Sequence, residues 1–61
     1  MVTISQWKKY ENQIKHTGYD WRTSSVEEAI KEIGTLGVSG RDSIYVIESE
    51  YGTVLEVVNT Y

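Results

Sequence analysis

The chain has no cysteine, no proline, no phenylalanine and a single histidine. Without cysteine, neither a disulfide framework nor a thiolate metal site can staple it. The fold has to come from hydrogen-bonded structure and packing, helped where needed by a partner subunit. The same lack fits a reducing compartment, so a cytoplasmic location is expected. No stretch approaches the ~20 apolar residues that span a bilayer, which predicts no membrane partner. No signal-peptide pattern opens the chain, and Met1 reads as a natural start. With no repeat, linker or low-complexity tract, the 61 residues predict one small globular domain over 1–61, near the lower size limit for independent folding.

The aromatic residues are five Tyr and two Trp. Such side chains suit positions with one apolar side and one wet end, and they are enriched in binding interfaces. The net charge of −3 is unevenly divided. Residues 1–22 carry Lys8, Lys9, Lys15 and Arg22 against Glu11 and Asp20. Residues 23–61 carry Lys31 and Arg41 against Glu27, Glu28, Glu32, Asp42, Glu48, Glu50 and Glu56. No basic stripe interleaved with aromatics emerges, which argues against direct nucleic-acid binding.

The densest apolar stretch is Ser43–Val58, SIYVIESEYGTVLEVV. Its β-branched and aromatic residues predict two strands. Glu50-Tyr51-Gly52 predicts a three-residue turn closed by Gly52 in the left-handed region. That turn pairs Ser49 with Thr53, Ile47 with Leu55 and Tyr45 with Val57. One face then holds Tyr45, Ile47, Leu55 and Val57, and the other holds Ile44, Val46, Glu48, Val54, Glu56 and Val58. A two-residue loop at Tyr51-Gly52 is the competing register and leaves two mixed faces.

Upstream, Thr3-Ile4-Ser5-Gln6 has capping-box form. Ile4, Trp7, Glu11 and Ile14 follow at helical spacing, predicting a helix over 4–16 that Gly18 closes. Tyr10, Asn12 and Ile14 also alternate, so an extended segment over 10–15 is the rival. His16 then complements a helix C-terminus. Tyr19–Thr23 reads as a short strand or a connector. Ser24 and Ser25 each precede a glutamate by three residues, and Val26, Ala29, Ile30 and Ile33 form an apolar stripe. Together they predict a helix ending at Gly34. The glycines at 34, 37 and 40 lack the lysine and the strand-to-helix context of a phosphate loop. Leu36 and Val38 are expected to tuck onto the core.

The expected fold class is α+β. Two short helices pack on a C-terminal antiparallel hairpin in the order α-(β)-α-β-β, with a third strand near 19–23 as an option. Trp7, Ile14, Ile30 and Ile33 are expected to meet the Tyr45/Ile47 face. No nucleophile–base pair, metal-ligand spacing or cofactor motif is present, so the expectation is no enzyme, no cofactor and no metal. The leading functional expectation is a non-catalytic protein-binding module acting through Ile44, Val46, Glu48, Tyr51, Val54, Glu56, Val58 and Tyr61. Small products without chemistry are associated with regulators or inhibitors of host proteins encoded by phages or other mobile elements. A homodimer through the uncovered face is a further outlet. The alternatives are an acidic nucleic-acid mimic, a small nucleic-acid-associated protein, or a subunit of a larger assembly.

Overall fold

Residues 2–23 supply half of the sheet. A computed structural model describes residues 1–61. It contains β1 (Val2–Tyr10), β2 (Gln13–Thr23), α1 (Val26–Gly34), a 3-10 turn (Gly37–Gly40), β3 (Ile44–Glu48) and β4 (Val54–Asn59). The four strands form one antiparallel sheet in the order β2-β1-β3-β4. The chain is α+β, but the two-helix arrangement on a C-terminal hairpin is overturned. There is one α-helix, and the segment expected to be the first helix is a hairpin of two long strands.

The reason lies in contacts that are distant in sequence. The helical line Ile4–Trp7–Glu11–Ile14 offers three apolar residues interrupted by a glutamate. The extended form places Val2 and Ile4 on one face, with Ile4 opposite both Trp21 and Ile47. Ile4 and Ile47 are fully buried there. Packing of this kind outweighs the weak helical preference of a single segment. Gln6, the presumed capping residue, is a buried strand residue instead. Residues 19–23 end an 11-residue strand paired to β1, rather than forming a short strand of their own.

Two backbone features shape the β1–β2 hairpin. Gly18 is left-handed, with φ 87°, but it sits in a bulge rather than at a helix end. Between the pairs Ser5↔Asp20 and Trp7↔His16, β2 carries three residues against one. The tip turns through Glu11 and Asn12, and Glu11 has φ 55°. A side chain in that region costs about 1–2 kcal/mol, which glycine avoids. Glu11→Gly is therefore expected to raise stability by ~0.5–1 kcal/mol. Urea titration reads this as a higher midpoint at unchanged slope, and a lower midpoint would contradict a strained tip.

Both β2 and β3 run antiparallel to β1 and hence parallel to each other, so their connection has to cross the sheet. It does so as α1. The Ser25 hydroxyl caps the helix by accepting from the Glu28 N–H at 3.2 Å, as the capping-box spacing predicts. Ala29 and Ile33 are buried and Val26 and Leu36 pack against the core, while Ile30 and Val38 face solvent. The core is Val2, Ile4, Ala29, Ile33, Tyr45 and Ile47. Of the four residues expected to meet the Tyr45/Ile47 face, only Ile33 does so.

The Glu32 carboxylate clamps the helix to β2. It accepts from Trp21 Nε1 and from the Thr23 hydroxyl, both at 2.8 Å. Trp21 in turn lies edge-on to Tyr45 and to Tyr19, at 6.0 and 5.3 Å between ring centroids. The helix-side rows of the sheet thus pair Trp21, Ile4, Ile47 and Glu56, and beside them Tyr45 with Val58.

Candidate functional site

The sheet has a second face that no helix covers. Strand alternation and register lay it out in three rows. The first is Arg22–Thr3–Glu48–Val54, the second Asp20–Ser5–Val46–Val57 and the third His16–Trp7–Ile44–Asn59. The β1–β2 half of the face is polar. Across β3 and β4 it is aliphatic: Ile44 and Val46 are half-buried, and Val54 and Val57 are 55% and 51% exposed. Trp7 borders this patch and Glu48 closes its far corner.

Of the residues expected to form the binding surface, Ile44, Val46, Glu48 and Val54 lie on this face. Glu56 and Val58 do not. The Gly52 turn forms as expected, with φ 81° at Gly52 and the Ser49 N–H donating to the Thr53 carbonyl at 2.8 Å. Glu48 then pairs with Val54, but Ile47 pairs with Glu56 and Tyr45 with Val58. A bulge at Leu55 has inserted one residue. Because strand faces alternate with period two, every residue beyond the bulge changes sides. Val57 therefore moves from the expected core to the open face, and Val58 makes the reverse move. Leu55, also expected in the core, is 47% exposed at the bulge.

Tyr51 stands at the β3–β4 tip, beyond the Glu48↔Val54 pair, and is 92% exposed. Tyr61 reaches from the end of β4 to β1. Its hydroxyl accepts from the Lys9 N–H at 2.7 Å, a β1 donor just past the last β1–β3 pair, Trp7↔Ile44. Tyr61 thus closes a strand end.

His16 is not at a helix terminus. The β2 bulge brings it beside Asp20, where its Nε2–H donates to Oδ1 at 2.5 Å. Its ring lies 5.1 Å from that of Trp7. Both side chains of the pair are substantially solvent-exposed. Among its side-chain hydrogen bonds His16 has Asp20 alone, so no nucleophile is engaged. The indole Nε1 of Trp7 is buried without an acceptor, an unsatisfied donor at the border of the patch. Trp7 and the His16–Asp20 pair are missed by sequence reasoning, and Val57 by the three-residue-turn register; beyond the bulge the pairing is that of the competing register, with Ile47 opposite Glu56 and Val57 opposite Val46. Reading Thr3, Ser5 and Trp7 as one strand face would have found Trp7.

The β4 edge is blunted. The Val57 N–H is taken by the carboxylate of its neighbour Glu56 at 3.1 Å, and the Tyr61 N–H by the Asn59 side chain at 2.9 Å. Concavities exist only at the β1–β2 tip and beside Met1, Thr3, Arg22 and Glu50. No group of three or more His, Cys, Asp or Glu side chains is placed to hold a metal ion, and no helix is long and apolar enough to cross a membrane. No family model, curated protein or solved structure matches the chain.

Proposed function

We propose that the chain is a non-catalytic protein-binding module whose contact surface is the open sheet face. The observation that carries this reading is the aliphatic patch of Ile44, Val46, Val54 and Val57 beside Trp7, on a face that no part of the chain covers. A sheet face exposed only to water is ordinarily more polar, and a contiguous exposed apolar patch marks an interaction surface. With the Val57 N–H of β4 already bonded to the Glu56 carboxylate, the flat face is a better contact than strand addition to β4. The complementary surface is an apolar projection bordered by a cation that meets Glu48. Action as a small regulator or inhibitor of a host protein extends this reading, as does an origin in a mobile element.

The test is a Val46→Lys/Val57→Lys double variant. Lysine on an open strand face costs stability within the ~1 kcal/mol span of strand preferences, so the variant is expected to fold. Tagged wild-type chain in extract of its native host is expected to retain a protein that the variant binds at least about tenfold less tightly, a difference of ~1.4 kcal/mol. Equal retention by both would remove the open face as the contact surface. Light scattering of the two chains separately reports whether the face pairs with a second copy.

A further inference from the structure

The β1–β2 hairpin outruns the rest of the sheet. β1 pairs with β3 only as far as Trp7↔Ile44, yet pairs with β2 out to Tyr10↔Gln13. Apart from the Lys9 N–H bond to the Tyr61 hydroxyl, residues 8–15 form a two-stranded ribbon with no third strand beside it. Such ribbons are marginal in water without further support, and this one carries a second cost. Lys8 stands directly opposite Lys15, and like charges in that position repel. None of Lys8, Lys9 and Lys15 makes a salt bridge. The hairpin gathers these three lysines at one projecting tip.

Four of the nine acidic residues lie toward the other end, while Glu11 is at the tip, Asp20 pairs with Ser5 and Asp42 stands two residues before Ile44, the partner of Trp7. Glu48 pairs with Thr3 and Glu50 meets the Met1 ammonium, while Glu27 and Glu28 occupy the first turn of α1. At ~3.3 Å per residue, the five residues from Thr3 to Lys8 separate the poles by roughly 17 Å. That is about two Debye lengths at physiological ionic strength. An approaching polyanion therefore meets Lys8, Lys9 and Lys15 with those four carboxylates largely screened and Glu11 as the one acid of the tip.

We propose that the ribbon tip binds duplex DNA in its major groove. Lys8 and Lys15 share one face of the ribbon and Lys9 lies on the other. Cations thus face outward on both sides, matching the two phosphate walls of a groove. An acidic peptide lying along one face would engage only one set. The major groove admits a two-stranded β-ribbon. Asn12 and Gln13, at the turn, carry the amide groups suited to base edges, and Tyr10 is half-exposed beside them. This surface is distinct from the aliphatic patch and does not depend on it.

The test is fluorescence anisotropy of a labelled DNA duplex titrated with the full chain, compared with Lys8→Gln/Lys9→Gln/Lys15→Gln. Three phosphate contacts predict a log–log salt slope of about −2.7, or a loss of ~40-fold in affinity between 50 and 200 mM salt. The triple variant is expected to lose binding at 50 mM salt by tenfold or more. Its thermal midpoint should be unchanged or higher, because the Lys8–Lys15 repulsion is gone. Glu11→Gly, which removes the tip's one acid, is expected to strengthen binding. The proposal is overturned by absence of binding at 50 mM salt, by equal binding of the triple variant, or by equal competition from poly-glutamate. Duplex RNA, whose major groove is deep and narrow, is expected to bind more weakly, and equal binding would overturn the groove assignment.

Discussion

Gln6→Leu is expected to destabilise the domain by about 3 kcal/mol although it keeps the side-chain volume. Gln6 is 4% exposed and sits where four segments meet. Its Nε2 donates to the Tyr45 hydroxyl at 2.9 Å and the Ser39 carbonyl at 3.1 Å, with the Ser43 hydroxyl at 3.4 Å. Its Oε1 accepts from the Thr17 hydroxyl at 2.8 Å. The Tyr45 hydroxyl passes on to the Gly40 carbonyl at 3.3 Å, which also accepts from the Thr60 hydroxyl at 2.7 Å. Leucine leaves several of these buried groups short of a partner, at about 1–3 kcal/mol each, where apolar replacement of a whole network could be neutral. A domain of this length has roughly 3–9 kcal/mol in total. The loss should lower the melting temperature by ~12 °C or more. A shift under ~4 °C in calorimetry would mean that the network is solvated.

Ile47→Ala is expected to cost about 2–5 kcal/mol, the range for deleting a large aliphatic side chain from a packed core. Ile47 is fully buried in the row that runs from Trp21 through Ile4. Its neighbour Val46 points to the other face, and Val46→Ala should cost about 1 kcal/mol or less. This contrast between adjacent residues reports which side of β3 is covered, because a strand's faces alternate. Denaturant titration of both variants reads it directly. Equal costs would mean that both faces are buried.

Legibility in the sequence followed the range of the interactions. The Ser25 cap, the Ala29/Ile33 stripe and the Gly52 turn rest on contacts within about four residues, and all three were readable. Tyr45 and Ile47 were placed on the core face because alternation in β3 is uninterrupted. The N-terminal hairpin is not legible locally because Ile4 is specified by Trp21 and Ile47, which no local window contains. Gly18 showed this in miniature: its left-handed backbone was expected, but the element around it was not. On the candidate surface, Ile44, Val46, Glu48 and Val54 were legible up to the point where the Leu55 bulge shifts β4. Beyond it Val57 and Val58 exchange faces, and nothing in the local pattern marks the extra residue. The helical reading sets Trp7 against the Tyr45/Ile47 face, whereas strand alternation turns it to the open face beside Ile44.

Solvent paramagnetic relaxation of the methyl groups, recorded on dilute chain with an inert soluble paramagnet, tests the one-sided sheet most directly. Val46, Val54 and Val57 are expected to relax strongly, with Val2, Ile4, Ile33 and Ile47 protected. Protection of Val46 and Val57 equal to that of Ile4 and Ile47 would contradict an open face.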